Sequence, residues 1–504
     1  MLASTLTGSV AGIQGRIIRV EVDSAPGFPG LFMVGLPDSA VRESASRIKA
    51  ALRNSAFDFS WDRRITVNLA PAHVRKTGSA FDLAIAVALL ASAGEPMSDP
   101  AQCLFLGEMA LDGSLRQVPG VLPILIEARA RGLSRAVVPI ANLAEATLVK
   151  GIEVRGAATL LGAVREGEAL QAGLAHGDGD PSAPSPVRLD LSEVYGQPLA
   201  RRALEIAATG RHNLLMIGPP GSGKTMLARR LPGILPPPSE EEALEMTAIQ
   251  SAAGLRPCGL VSSRPFRAPH HTASAIALVG GGALPRPGEI SMAHGGVLFL
   301  DELPEFPRIT LEGLRQPLEE GRLVVSRARA TFEFPSRFQL VAAMNPCPCG
   351  YQGDSVLPCR CTPQAMARYR GRISGPLLDR IDMVVDVPRA EIRVPSAFSP
   401  RGSSEGEPSS LVRARVAKGT AFAQSRSAKS LREDLASLDL DSDAASTLEN
   451  AARVQGLSQR AVRRTARVAR TIADLAQVGH VSRSAVLEAL LFRSAAPLTA
   501  PKAA

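Results

Sequence analysis

The sequence predicts an α/β protein with three successive parts: an α+β block, a block around a parallel sheet, and an α-helical block. Its length of 504 residues suits about three domains of roughly 150 residues each. The composition changes twice, at stretches rich in Gly, Pro and Ser that are typical of linkers and loops. We therefore expect these divisions: a first block at 1–170, a linker at 171–187, a central block at 188–393, a flexible loop at 394–410, and a last block at 411–495.

Local patterns justify the elements of each block in turn. In the first block, residues 17–22 and 65–69 are rich in β-branched side chains and predict strands, whereas 39–54 and 81–93 predict helices. The last block has almost no strand signal and several helical stretches. In the central block, helical patterns alternate with strand-like runs, which indicates a parallel sheet. These runs are LLMIG at 214–218, VLFLD at 297–301, FQLVAAMN at 338–345 and MVVDV at 383–387.

The composition excludes several classes of protein. With 45% hydrophobic and 21% charged residues, the chain is not mostly disordered. The first residues, MLASTLTGSVAGIQGR, lack the pattern of a signal peptide, and the longest apolar stretch, 81–94, is too short to span a bilayer. Six cysteines, four of them within 347–361, do not form a disulfide framework. We expect a cytoplasmic protein that does not contact a membrane.

The charge is compatible with a phosphate-rich partner. The chain has 57 basic and 48 acidic residues, for a net charge of +9, and only seven of the basic residues are lysines. Arginine forms bidentate hydrogen bonds to phosphate. A bias toward arginine codons across the genome explains the same composition equally well. Aromatic residues make up only 4%, so platforms for stacking single-stranded bases are scarce.

The strongest motif is GPPGSGKT, which follows a strand-like apolar run and precedes a helical pattern. It matches the phosphate-binding loop G-x-x-x-x-G-K-[ST] in the strand–loop–helix setting that this loop requires. Its glycines allow backbone N–H groups to surround phosphate, the lysine reaches the β- and γ-phosphates, and the threonine hydroxyl binds Mg²⁺. The predicted ATP-binding residues are Gly218, Pro219, Pro220, Gly221, Ser222, Gly223, Lys224 and Thr225.

Two acids and an amide complete the predicted site. The run GGVLFLDE ends at Asp301, which would hold Mg²⁺ together with Thr225, and at Glu302, which would activate the attacking water as a general base. The alternative is an ordinary strand end with two solvated acids. A third strand-like run ends at Asn345, whose amide could orient the same water.

Together these residues resemble an AAA+ ATPase of the magnesium-chelatase-like branch, and the whole chain resembles the YifB/ComM family within it. The resemblance covers nearly the full length. The segments that carry it are VGLPDSAVRES, ITVNLAPAHVRKTGSAFDLAIA, RPFRAPHHTAS, GEISMAHGGVLFLDELPEF, LRQPLEEG, NPCPCG, ISGPLLDRID and LSQRAVRRTARVARTIADL.

The resemblance implies a ring, usually a homo-hexamer, with ATP sites between subunits. Arg380 matches the family's arginine finger, and Arg460 matches the sensor-2 arginine of a C-terminal helical lid. The alternative for Arg380 is an ion pair with Asp379 or Asp382. The alternative for Arg460 is a solvated helix face, because it begins a row with Arg463, Arg467 and Arg470.

A hairpin predicted over 323–334 has Arg327 and Arg329 near its tip. In related ring helicases this hairpin faces the central pore, so these arginines are candidate DNA-binding residues; the alternative is an exposed turn. The segment 264–291 resembles a second pore-facing insert, and its His270 and His271 fit a structural or pore-lining role better than metal binding.

The pattern C-x-C-x₉-C-x-C, formed by Cys347, Cys349, Cys359 and Cys361, suits a structural zinc ion in a reducing compartment. Free cysteines or a redox pair are the alternatives. With all four positions filled by protein, the pattern does not indicate metal catalysis.

Two segments of the first block, GEMALDGSLRQVPGVLPILIEARARGLSRAVVP at 107–139 and KTGSAFDLAIA at 76–86, resemble the proteolytic domain of Lon. The resemblance implies a ribosomal S5 domain 2-like α+β fold, but the block lacks the catalytic dyad of Lon. Alignment places Ala80 where the serine belongs and Leu122 where the lysine belongs, so we expect no protease activity.

The resemblance favours an ATPase motor that acts on single-stranded or branched DNA, as a helicase or in branch migration during natural transformation or recombination. The alternative functions are a magnesium chelatase-like ATPase and a protein-remodelling ATPase. An N-terminal Lon-like block and the absence of an adjoining integrin-like domain argue against the chelatase.

Overall fold

The computed structural model describes residues 2–493 except 56, 73–75, 77, 166–169, 172–188, 256–258, 283–285, 328–329, 390–405 and 428–437. The predicted linker therefore lies outside the described residues apart from Gln171, which ends a short strand. The predicted loop at 394–410 lies outside them up to residue 405. Its last two residues, 409 and 410, are helical, because a helix begins at Ser409, whose N–H donates to the Asp190 carboxylate.

Residues 2–171 build a mixed eight-stranded sheet in the order β10-β9-β8-β5-β1-β2-β4-β3, with helices packed against it. The predicted helix at 39–54 is confirmed, and the one at 81–93 begins one residue later. The strands are β1 Leu2–Ala11, β2 Gln14–Ala25, β3 Gly30–Val34, β4 Arg64–Ala70, β5 Cys103–Phe105, β8 Arg135–Pro139, β9 Glu153–Ala157 and β10 Leu170–Gln171, with the separate hairpin β6 Glu108–Met109 and β7 Leu115–Arg116. The helices are α1 Ser39–Asn54, α2 Asp82–Ala93, α3 Val121–Ala130, α4 Leu143–Ala146 and α5 Leu160–Val164.

The hydrophobic pattern explains how these helices pack. α1 is amphipathic, so only one face, including Val41, Ile48 and Leu52, is buried. α2 is apolar on all sides, and nearly every residue in it is buried between the sheet and α1. Asp82 is a buried charged residue in this apolar helix, and Arg47 donates two hydrogen bonds to its carboxylate, of 2.8 and 3.1 Å.

The central block contains the predicted parallel sheet. Its five strands have the order β12-β15-β18-β11-β19, and every neighbouring pair is parallel. The carboxyl ends of parallel strands meet at one edge, and in open α/β sheets ligands bind outside that edge. The strands are β11 Leu214–Ile217, β12 Phe266–Arg267, β15 Val297–Leu300, β18 Gln339–Met344 and β19 Met383–Asp386.

The other elements of the central block surround this sheet. Two hairpins pair β13 Gly280–Gly281 with β14 Arg286–Pro287, and β16 Arg322–Arg327 with β17 Ala330–Pro335. The helices are α6 Pro198–Gly210, α7 Lys224–Ile234, α8 Glu240–Ala252, α9 Ala275–Val279, α10 Glu289–Met292, α11 Arg308–Glu312, α12 Arg315–Glu320, α13 Pro363–Arg370 and α14 Gly375–Leu378. In this block 3₁₀ turns cover Leu191–Glu193 and Leu303–Glu305, and in the first block they cover Pro100–Gln102 and Ile140–Asn142.

Helices build the last block, as predicted, and its described residues contain no strand. α15 and α17 pack on α6 and share one hydrophobic core with β11, β18 and β19. The helices are α15 Ser409–Ser427, α16 Ser442–Gln455, α17 Gln459–Leu475 and α18 Arg483–Leu491. Among the helices of the described part, none is both long enough and apolar enough to cross a membrane.

Among the described residues, the first block contacts the central block along α8 and at the β16–β17 hairpin. Leu244 and Ala248 of α8 join the hydrophobic cluster beneath α3, and the Ser251 carbonyl accepts a 3.0 Å hydrogen bond from Gly120 N–H. Ile13, in the β1–β2 turn, packs against the apolar base of the β16–β17 hairpin.

Candidate nucleotide site and cysteine cluster

The loop predicted to bind phosphate, 218–225, follows β11 at the carboxyl edge of the parallel sheet. Gly218 N–H donates to the Met344 carbonyl at 3.2 Å, and a Cβ at Gly218 would lie 2.0 Å from the Val387 carbonyl oxygen. Gly221 and Gly223 have φ of 76° and 92°, conformations that favour glycine. The loop then enters α7, whose N-terminus favours anions.

Lys224 lies at the centre of this loop and is buried. Its Nζ donates to the carbonyl oxygens of Gly218 and Pro219 at 2.7 and 2.9 Å and to Asn345 Oδ1 at 3.2 Å. Burial lowers the pKa of Lys224 to about 8, although the nearby charges of Asp301 and Glu302 oppose this shift. The structure thus brings Lys224 and Asn345 together.

The two acids after β15 lie beside the same loop. Thr225 Oγ1 donates to Asp301 Oδ2 at 2.7 Å, so the two predicted Mg²⁺ ligands are adjacent. Glu302 has a φ of 52°, which is unusual for a residue other than glycine, and its side chain is exposed. Such strain concentrates at functional sites.

Sequence reasoning missed a neighbour of Glu302. His271 Nδ1 lies 3.5 Å from Glu302 Oε2, and its ring lies against that of His270, with 4.1 Å between centroids. The His-His pair in RPFRAPHHTAS was the available signal, but its distance from the P-loop in sequence concealed the contact. An apolar recess on the other side of the loop, lined by Val194, Tyr195 and Met226, was also missed.

Arg380 lies at the opposite edge of the sheet. Its carbonyl oxygen accepts a 2.8 Å hydrogen bond from Asn213 Nδ2, and Asn213 precedes β11, whereas the phosphate loop follows β11. The five steps of extended chain from Asn213 to Gly218 separate these edges by about 16 Å, which exceeds the reach of an arginine side chain. Arg380 therefore cannot reach the phosphate loop of its own chain.

The guanidinium of Arg380 is buried and pairs with Glu319 of α12, and it donates to the Pro376 carbonyl at 2.5 Å. The alternative partners considered from sequence, Asp379 and Asp382, are wrong. The hydrogen bond from Arg380, together with the positive charges of Arg380 and Arg460, lowers the pKa of Glu319.

Arg460 lies in the first turn of α17 and is exposed. One turn further along α17, Arg464 pairs with Asp382, which directly precedes β19, so the start of α17 lies at the same edge as Arg380. The row of arginines that begins at Arg460 is not a single solvated helix face. Its last member, Arg470, is buried, and Arg470 Nη2 lies 3.1 Å from Asp474 Oδ1. Arg464, which sequence reasoning passed over, lies 3.8 Å from Asp382.

The four predicted cysteines form one cluster. Their sulfur atoms all lie within 4.8 Å of one another, and Cys347 Sγ lies 3.4 Å from that of Cys349 and 3.6 Å from that of Cys359. These distances exceed a disulfide bond of about 2.05 Å. Backbone N–H groups of Arg360 and Tyr351 lower the pKa of the Cys349 thiol to about 6, which favours the thiolate that binds metals. Burial raises the pKa of Cys347, an effect that a bound cation would oppose.

The remaining predicted residues lie in the hairpin and in the first block. Arg327 ends β16, but its side chain and all of Arg329 lie outside the described residues. Ala80 is half-buried and Leu122 is buried. The nearby Ser79 hydroxyl bonds Glu108, and Lys76 Nζ bonds the Pro71 carbonyl. These two side chains are therefore bonded to other groups rather than to each other.

Comparisons with known proteins identify the family of the chain. The model described as magnesium chelatase, subunit ChlI, matches residues 190–394, and the model of its C-terminal part matches 406–493. The YifB protein of Salmonella typhimurium is 44% identical over 505 residues, which cover 98% of this chain and 97% of that protein. The chain belongs to the YifB/ComM family of magnesium chelatase-like proteins.

Two further relatives bear on function. The competence protein ComM of Haemophilus influenzae is 41% identical over 520 residues, covering 98% of this chain and 97% of that protein. The DNA repair protein RadA of Bacillus subtilis is 29% identical over 165 residues, about a third of each chain. The family implies ATP and Mg²⁺ as ligands of the site.

A third model, described as subunit ChlI of Mg-chelatase, matches residues 20–142. The presence of an N-terminal block therefore does not distinguish this chain from the chelatase class, contrary to the argument from sequence.

Proposed function

We propose that the protein hydrolyses ATP as a homo-hexameric AAA+ ring and uses that energy to act on single-stranded or branched DNA. One observation carries the ring: the phosphate loop and Arg380 lie at opposite edges of the same sheet. A site that needs both must take them from two subunits. Arg460, at the same edge as Arg380, would then also serve the neighbouring subunit.

The residues present fit ATP and Mg²⁺. Gly221, where a Cβ would meet no atom within 4 Å, and Gly223 leave room for phosphate against the backbone, and Lys224 would bind its oxygens. Thr225 and Asp301 would hold Mg²⁺, which neutralises phosphate charge when bound. Glu302 would accept a proton from the attacking water and Asn345 would orient that water, while Arg380 of the neighbour stabilises developing charge.

We also propose the division of the chain that the sequence predicts. Residues 1–170 would form a Lon-like domain without protease activity, 188–393 the AAA+ domain and 411–495 the helical lid. The cysteine cluster would hold one structural zinc ion, because four thiols at these separations match a closed tetrahedral site. We place the protein in the cytoplasm, where such thiols stay reduced.

DNA as the partner is supported by the net charge of +9 and by relatives named a competence protein and a DNA repair protein. A magnesium chelatase-like activity is the second candidate, and the descriptions of all three matching family models favour it. Protein remodelling is the third.

The test is the ATPase rate with single-stranded, duplex and four-way-junction DNA at low salt, where phosphate contacts are strongest. We expect stimulation that disappears in the variant Arg327→Ala/Arg329→Ala. The matched control is Arg129→Ala/Arg131→Ala, which removes the same charge from exposed positions in and just after the last turn of α3. Loss of stimulation in both variants would argue against gripping by the hairpin. No stimulation by any DNA would favour the chelatase or protein-remodelling function.

A further inference from the structure

The segment from Cys347 to Cys361, which we call the cysteine knuckle, lies between two parts of the proposed ATP site. β18 ends at Met344, one residue before Asn345, and α13 begins at Pro363. The 18 residues between them contain neither helix nor strand. Unstructured connections of this length are uncommon in compact domains and usually serve a function.

Apolar packing does little to hold the knuckle in place. Val356 and Leu357, in the middle of the segment, are exposed. The sulfur cluster is what draws its two ends together, because Cys347 and Cys349 precede the loop whereas Cys359 and Cys361 follow it. A zinc ion with Zn–S bonds of about 2.3 Å places its four sulfurs about 3.8 Å apart. The separations of 3.4, 3.6 and 3.7 Å are close to this value.

One side of the knuckle lies directly against the phosphate loop. Gly350 is buried, and a Cβ built on it would lie 2.5 Å from Cδ and 2.8 Å from Cγ of Pro220. The same Cβ would lie 3.8 Å from Cγ of Asn345. The turn is closed by Gly350 N–H, which donates to the Cys347 carbonyl at 2.9 Å. The first pair of cysteines therefore fixes the backbone that supports Pro220.

The other side of the knuckle is tied to α13. Thr362, next to Cys361, caps this helix, and Arg370 from its last turn donates to Gln352 Oε1 at 2.6 Å. α13 is followed by α14 and Arg380. The knuckle thus connects the phosphate loop of one site to the helices that precede the arginine proposed for the next site.

We propose that the metal-bound cysteine knuckle is a brace for the phosphate loop, so that nucleotide affinity depends on metal at a site that does not contact nucleotide. This inference rests on the zinc site of the proposed function and adds the coupling to ATP. Without the metal, the two cysteine pairs are free to separate and Gly350 can move away from Pro220. Nucleotide must then order the phosphate loop as it binds, and the free energy of that ordering lowers the affinity.

A pair of glycine variants isolates the coupling from the metal. Gly350→Ala and Gly353→Ala both place alanine at positive φ, at 85° and 76° respectively, within the same segment. Only Gly350→Ala drives a methyl group into Pro220, since a Cβ at Gly353 has no atom within 4 Å. We expect both variants to retain zinc. We expect Gly350→Ala to bind a fluorescent ADP analogue about tenfold more weakly than Gly353→Ala does, with KM for ATP raised and kcat largely kept.

A second pair of variants addresses the metal itself. Cys361→Ser should lose zinc and bind the analogue at least about tenfold more weakly than wild type, whereas Cys103→Ser, at a cysteine in β5, should retain both properties. Removing the metal from the wild-type protein with a chelator, and then adding Zn²⁺ back, should lower and restore nucleotide affinity, which misfolding of a variant could not mimic.

The outcomes separate the two proposals. Purified protein without bound metal would overturn the zinc site and this inference together, while leaving the ATPase untouched. Zinc present, with equal nucleotide affinity in Gly350→Ala and Gly353→Ala and after metal removal, would overturn the brace alone. Absence of ATP hydrolysis in a zinc-loaded protein that binds nucleotide would overturn the proposed function and not the brace.

Discussion

Nucleotide affinity should fall as the pH rises through about 8, because Lys224 loses its charge in the unliganded protein. Burial lowers the pKa of this residue to about 8, and binding of phosphate would raise it again by supplying negative charge. Above pH 8 the liganded protein then holds one proton more than the free protein, so rising pH opposes binding. The apparent Kd scales as 1 plus ten to the power of pH minus pKa. It should therefore increase about tenfold between pH 7 and pH 9.

Calorimetric titration with ADP at several pH values tests this prediction. The second ionisation of phosphate lies near pH 6 and does not interfere between pH 7 and 9. At pH 9 the heat should vary with the ionisation enthalpy of the buffer, as expected for uptake of about 0.9 proton. Thermal unfolding of the unliganded protein over the same range controls for loss of structure. An affinity that is constant from pH 7 to 9, without dependence on the buffer, would refute a lowered pKa for Lys224.

Three substitutions test the other proposed roles. Glu302→Gln should bind ATP like wild type but lower kcat by about a hundredfold or more, as expected for loss of a general base. The control Glu305→Gln should stay active, and equal turnover in the two variants would exclude Glu302 as the base. Arg380→Ala should lower kcat by about a thousandfold. Mixing it with Lys224→Ala should restore part of the activity, because one variant supplies the intact loop and the other supplies the arginine. Mixtures that stay inactive would contradict a site shared between subunits. Glu319→Gln should release Arg380 and raise the ATPase rate by about two- to fivefold at low protein concentration, as expected for an ion pair whose carboxylate is exposed. A lower rate would show that Glu319 supports the arginine rather than restraining it.

Much of the fold could be predicted from sequence because its strongest signals are local. α1 ends where its amphipathic pattern ends, with an Asp38 side chain capping it and Arg53 in its last turn. The strands of the parallel sheet are continuous apolar runs, which is what burial on both faces requires. The order of the strands could not be predicted, because it depends on pairing between segments far apart in the chain. The contact of Ile13 with the hairpin was missed for the same reason.

The candidate site divides in the same way. Its carboxyl edge was readable because a parallel sheet brings the ends of consecutive strands together, so Lys224, Asp301 and Asn345 had to be neighbours once their strands were identified. The position of Arg380 could not be predicted from sequence. The short segment GPLLDRID is placed by a hydrogen bond from Asn213, just before β11, to the Arg380 carbonyl oxygen. That hydrogen bond places the arginine a whole strand away from the phosphate loop. Within one chain the proposed site therefore lacks the charge of Arg380, which pairs with Glu319 at the other end of the strands. This arrangement is expected if a second copy of the chain completes the site.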